Sequence, residues 1–151
     1  MEERFETFTV LINRISRNIR RIKNQEMAAY GLKGAQISCL YYLYCDEGLT
    51  ATELCERCEE DKATISRALD HLERSGYLLC QSKQAKRYKS PVLLTEAGRE
   101  MGRRIAKKIG QVLEQISGGL SDEERTAFYI RLSAISEGLE TVALFKKGDQ
   151  S

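Results

Sequence analysis

A chain of 151 residues is long enough for one domain with a real core and too short for two of ordinary size, so the sequence reads as a single unit. The composition, 42% hydrophobic and 30% charged, is that of a soluble globular protein, and 24 basic against 22 acidic residues leave a net charge of +2 that by itself points to no partner. No apolar run approaches the roughly 18 residues of a membrane span, and Met1-Glu2-Glu3-Arg4 lacks the apolar core and cleavage site of a secretory leader, so a cytoplasmic location without a membrane partner is expected.

From Phe5 the apolar positions Phe5, Phe8, Ile12, Ile15, Ile19 and Ile22 alternate spacings of three and four, which predicts a long amphipathic helix. Its stripe is narrow and heptad-like, suited to packing along another helix. Gly31 and Gly34 end it, and a short second helix carries Ile37, Leu40, Tyr41 and Tyr44 on one face up to Asp46-Glu47-Gly48. Thr50-Ala51-Thr52-Glu53 has the spacing of a capping box, so a third helix should start there and run to about Cys58. After Glu60-Asp61 a fourth helix buries Ile65, Ala68, Leu69 and Leu72, stops at Ser75-Gly76, and leaves Lys62, Thr64, Ser66, Arg67, Asp70 and His71 facing outward.

Tyr77 to Cys80 and Val92 to Leu94 read as two short strands of a hairpin whose long tip runs from Gln81 to Ser90. Thr95-Glu96 opens a fifth helix with Met101, Ile105, Ile109, Val112 and Ile116 inward, ending at Gly118-Gly119. A second capping box, Ser121 to Glu124, opens a last helix with Phe128, Leu132, Ile135, Leu139 and Val142 spaced by four and three. Residues 146–151 read as a disordered tail.

Charge is unevenly spread along this order. Residues 60–108 carry twelve Lys or Arg against six Asp or Glu, no acid occurs between Arg74 and Glu96, and Lys83, Lys86, Arg87 and Lys89 fall within seven positions. A local basic patch on a nearly neutral chain suits a polyanion bound at one face. Helix, short helix, polar-faced helix and basic hairpin are the layout of a winged helix-turn-helix, in which one helix enters the major groove of double-stranded DNA. Ala63, Thr64 and Ser66 are small enough for close approach, free backbone N–H groups at that helix start favour phosphate, Lys62 adds reach, and Arg67 can contact guanine with two hydrogen bonds. His71 is placed for a phosphate contact or for plain solvation. A solvated helix face and a solvated loop are the competing readings, and the adjacency of the two elements is what favours DNA.

Leu49-Thr50-Ala51-Thr52-Glu53-Leu54, Asp61-Lys62-Ala63-Thr64-Ile65-Ser66-Arg67, Leu72-Glu73-Arg74-Ser75-Gly76-Tyr77 and Leu94-Thr95-Glu96-Ala97-Gly98 together resemble the MarR family of multiple-antibiotic-resistance-type regulators, over nearly the whole chain. The resemblance implies a mainly α fold of about six helices with a small β-hairpin wing. It implies a homodimer formed by residues 1–30 and 99–145 around a winged-helix region at 35–98, and repression at a pseudo-palindromic operator, modulated by a small-molecule effector. Tyr30, Tyr41 and Tyr42 are candidate effector contacts on the same ground. The family wing usually carries an Asp-Arg-Arg signature; here Lys86, Arg87 and Tyr88 occupy those positions, so only Arg87 is carried over as a minor-groove or phosphate contact.

Five cysteines, at 39, 45, 55, 58 and 80, form an odd set for which reduced thiols are expected. Cys55-Glu56-Arg57-Cys58 is a lone CxxC without zinc-finger spacing, and helical placement should spread the other thiols away from it. Some are expected as small buried hydrophobes and the rest as surface thiols. No nucleophile motif, paired-carboxylate site or phosphate loop is present, so no enzyme activity, cofactor or metal is expected. The altered wing leaves a second reading open, a dimeric thiol or ligand sensor that acts through a protein partner with weak DNA binding.

Overall fold

The computed structural model describes residues 2–80 and 89–148, with side chains from 7 to 80 and from 89 to 144. Among them are six α-helices: α1 Glu2–Met27, followed by a 3-10 turn at Ala28–Tyr30, α2 Ala35–Cys45, α3 Ala51–Cys58, α4 Lys62–Arg74, α5 Glu96–Ser117 and α6 Asp122–Gly148. They fall into two compact units, residues 1–109 and 110–151, with the division inside α5. No helix among the described residues is long and apolar enough to cross a membrane.

In the first unit α2, α3 and α4 pack on one another. Ile37, Leu40 and Leu43 from α2, Ala51 and Leu54 from α3, and Ile65, Ala68, Leu69 and Leu72 from α4 form a common buried core, closed by Met27, Leu32, Leu49, Leu78, Val92, Met101 and Ile105. Each wholly buried leucine among these gains about 2 kcal/mol by leaving water. Thr50 starts α3 with the reciprocal box expected from its sequence: the Thr50 N–H donates to Glu53 Oε2 at 2.7 Å and the Glu53 N–H donates to Thr50 Oγ1 at 3.3 Å. The hydrogen bonds from the Thr50 backbone and side chain hold the Glu53 carboxyl below its ordinary pKa.

α4 ends as Ser75-Gly76 predicts. Gly76 is left-handed (φ 79), its N–H reaches the Glu73 carbonyl, and the Tyr77 N–H reaches the Leu72 carbonyl, so the last carbonyls of the helix are satisfied. Thr95 ties this end to the start of α5: its hydroxyl donates to the Gly76 carbonyl at 2.6 Å and accepts from the Gly98 N–H at 3.0 Å, while its own N–H donates to the Tyr77 carbonyl. Contact there is close enough to require glycine. A Cβ on Gly98 would lie 2.0 Å from the Tyr77 carbonyl oxygen, and one on Gly102 would lie 2.5 Å from Tyr44 Cβ.

The hairpin differs from expectation. Instead of two strands, the described residues form isolated antiparallel bridges, Leu78 with Leu94 and Thr50 with Pro91, supported by N–H to carbonyl bonds from Leu79 to Leu93 and from Val92 to Leu49. Pro91 has no N–H to extend a ladder, and the 91–92 segment pairs with residues 49–50 while 93–94 pairs with 78–79, so among the described residues neither segment faces one partner for long enough to become a strand.

Two other expectations are revised. Of the five α5 positions expected inward, Met101 and Ile105 are buried, but Ile109 and Ile116 are exposed and Val112 is only partly covered. α6 continues through Gly148, three residues into the stretch read as tail. It starts with the second reciprocal box, in which the Ser121 N–H donates to Glu124 Oε2 at 2.8 Å and the Glu124 N–H to Ser121 Oγ at 3.2 Å. Two extended apolar surfaces remain uncovered within their own units: Phe8, Ile12, Ile15, Ile19 and Ile22 along α1, and Phe128, Ile130, Leu132, Ile135, Leu139 and Val142 along α6.

Candidate nucleic-acid interface

The buried stripe of α4 fixes the direction of its opposite face. With Ile65, Ala68, Leu69 and Leu72 held in the core, Lys62, Ala63 and Arg67 are exposed, Ser66 is partly so, and Thr64 and His71 sit at the flanks, partly buried. Asp61 caps the helix, its Oδ1 accepting from the Thr64 N–H at 2.7 Å. Hydrogen bonds from the Thr64 backbone and side chain, together with the Arg67 charge and the Ala63 N–H, hold the Asp61 carboxyl below the usual range.

This cap corrects the expectation of free N–H groups for phosphate at the start of α4. The carboxylate of Asp61 already accepts from the Thr64 N–H, with the Ala63 N–H beside it, and it brings a negative charge of its own. Attraction for a polyanion therefore falls to side chains. Arg67 is the best placed of these: its Nη2 donates to Thr64 Oγ1 at 3.2 Å, which orients the guanidinium along the exposed face. Nothing in the sequence pattern alone marked Thr64 as the residue that steers Arg67, although a hydroxyl three positions before an arginine on a helix is the signal that would have done so.

Lys89 lies exposed at the end of the hairpin, while Lys83, Lys86 and Arg87 lie outside the described residues, as does Tyr88. Tyr41 and Tyr42 pack edge to face with ring centroids 5.4 Å apart, and Tyr30 meets Arg104, whose Nη1 donates to the Tyr30 hydroxyl at 3.4 Å and whose guanidinium lies 5.9 Å from the ring centre. An open groove of about 470 Å3 is lined instead by Asp46, Glu47, Gly48, Leu49, Glu53, Glu56 and Arg57, with the Arg57 to Asp46 ion pair (2.9 Å) on its wall. The thiols also depart from expectation. Cys39 is buried and Cys45 and Cys80 are exposed, but Cys58 is hydrogen-bonded to Cys39 across the α2 and α3 interface, so helical placement brings these two together.

Residues 30–87 match the model of the MarR family, and a MarR-family transcriptional regulator from Silicibacter pomeroyi, known from its crystal structure, is 30% identical with a TM-score of 0.72, over 83% of this chain and 84% of that one. The chain belongs to the MarR family. The HTH-type transcriptional regulator YwoH of Bacillus subtilis (strain 168) is 28% identical to this MarR-family chain over 117 residues, 78% of the chain and 85% of YwoH. The fold also matches MepR of S. aureus in a crystal structure of its DNA complex, with TM-score 0.74 and 20% identity over 87% of this chain and 96% of that one. This MarR-family protein is thus a transcriptional regulator of the winged-helix type.

Proposed function

We propose that the protein is a homodimeric repressor that binds a pseudo-palindromic operator, with α4 of each protomer in a major groove and each hairpin tip along the flanking minor groove. The reading rests on the exposed face of α4, where the Arg67 guanidinium donates to the Thr64 hydroxyl, and on the basic run of Lys83, Lys86, Arg87 and Lys89 that follows α4 in the sequence. Arg67 reads a base edge, Lys62, Ser66 and His71 contact the backbone, Ala63 and Thr64 allow close approach, and Arg87 and its neighbours neutralise phosphate. Dimerisation through residues 1–30 and 99–145 covers the apolar surfaces of α1 and α6 and fixes the half-site spacing. A small-molecule effector alters DNA affinity, with Tyr30, Tyr41 and Tyr42 as its candidate contacts; Tyr30 offers it a phenol already paired with a cation, Arg104. The protein acts in the cytoplasm.

The test is a pull-down of genomic fragments by the purified protein at near-physiological salt, followed by salt titration on the best fragment. One short inverted repeat should dominate, with affinity falling steeply as salt rises. A folded dimer that enriches no sequence would sink the operator reading and favour a sensor that acts through a protein partner.

A further inference from the structure

α1 turns a different side to each of three surroundings. Met27 is buried in the core of the first unit and Lys23 donates to the Ser38 hydroxyl of α2, so these two mark the side that faces its own chain. Ile12, Ile15, Ile19 and Ile22 form the open apolar seam. Arg14, Arg17 and Arg21 form a third stripe, which at about 100° of rotation per residue lies about 130–140° round the helix from both the core side and the seam. A partner that covers the seam leaves these arginines in water. All three are exposed, and none takes part in an ion pair among the described residues. Other arginines of the chain are neutralised by carboxylates: Arg57 pairs with Asp46, Arg99 with Glu47, Arg104 with Glu100 and Arg125 with Asp122. α1 offers no such relief, because residues 7–25 hold five basic side chains and no acid. Spacings of three and four residues also set the like charges side by side, where they repel.

We propose that the Arg14, Arg17 and Arg21 stripe of α1 is a second nucleic-acid surface, which takes the phosphate backbone of double-stranded DNA without regard to sequence, so that a protein bound to one duplex through α4 holds another through α1. At about 1.5 Å per residue the stripe is about 10 Å long, a length over which one strand of a duplex carries about three phosphates. Three guanidiniums thus face three phosphates, and each can give a phosphate two parallel hydrogen bonds. Asn18 and Gln25, exposed along the edge of the stripe, add uncharged donors. A lipid surface fits less well. A helix lying on a membrane buries its apolar seam, and these arginines would then point into water and away from the headgroups. The proposal rests on the operator reading only for the first duplex; the second is held by charge alone.

The test uses the full chain with α4 disabled by Lys62→Ala and Arg67→Ala, and a short duplex of arbitrary sequence as the probe. This variant should still bind the duplex. Adding Arg14→Gln, Arg17→Gln and Arg21→Gln together should lower its affinity at least tenfold and its salt slope by about 2.7, with the circular dichroism unchanged. A second arm reads bridging. Beads carrying the fragment that the protein enriches from the genome are loaded with the parent chain, which should then carry a fluorescent duplex of unrelated sequence onto them. The triple glutamine variant should load equally and carry at least tenfold less. Equal affinity with and without the three arginines would overturn the proposal, as would undiminished carriage by the triple variant. Phosphatidylserine vesicles that capture the parent but not the triple variant would overturn it in favour of a lipid surface. The first arm involves neither α4 nor an operator, so its failure and the failure of the operator reading are separate results.

Discussion

At the scale of single residues, the operator proposal gives Arg67 and Arg87 different parts in DNA recognition, and the two should fail differently when removed. Arg67 is held by the Thr64 hydroxyl on the face opposite the core, a geometry suited to reading one base. Arg67→Ala should cost about 1–3 kcal/mol on the operator and relax preference at a single base pair, measured by binding to a panel of point-mutated operators; equal losses on every sequence would reassign it to the backbone. Arg87→Ala should weaken binding to all sequences alike and lower the salt slope by about one counterion. An unchanged slope would remove it from the phosphate contacts. Asp61 is a third case, because it caps α4 while placing a carboxylate where phosphate approaches. Its native pKa lies below the ordinary value, so its contribution to stability is complete above about pH 4 and is lost as pH falls through the native value. Asp61→Asn keeps a capping oxygen, and its melting temperature should therefore fall less between pH 7 and pH 3 than that of the parent.

At the scale of elements, the two glycines of α5 set how closely it lies against α2 and the end of α4. Gly102→Ala should cost about 1–3 kcal/mol, since Tyr44 must shift to admit the methyl group. Gly98→Ala should cost more, the obstacle being the Tyr77 carbonyl oxygen; denaturant titration ranks the two, and equal midpoints would refute the argument. Much of this layer was legible beforehand. Both capping boxes and the four buried positions of α4 follow from local spacing, because a cap and a helical face are made within one turn or two. The hairpin was not legible, since whether apolar residues 77–80 and 92–94 pair as strands depends on how residues 49–50 compete for one arm. Nor was the Cys39 and Cys58 contact, which joins two helices and leaves no trace in the spacing of either. The exposed Ile109 and Ile116 show the limit of periodicity: it identifies an apolar face but not whether the same chain covers it.

At the scale of the whole molecule, such uncovered faces are a thermodynamic argument for a second copy. α6 displays Phe128, Ile130, Leu132, Ile135, Leu139 and Val142 to solvent, more apolar surface than a helix keeps exposed in water. Light scattering should give twice the mass of one chain, and Leu139→Glu, which would place a charge in that interface, should shift the protein toward monomer and weaken operator binding. An unchanged dimer would move the interface off α6. The join made by Thr95 bears on how any such assembly passes motion inward. Its hydroxyl and N–H bind the last turn of α4 to the first turn of α5, and Gly98 and Gly102 leave no clearance beside it. In mechanical terms this is a weld rather than a hinge: a tilt of the first turns of α5 is carried into the end of α4 as rotation, with no slack in the joint to absorb it.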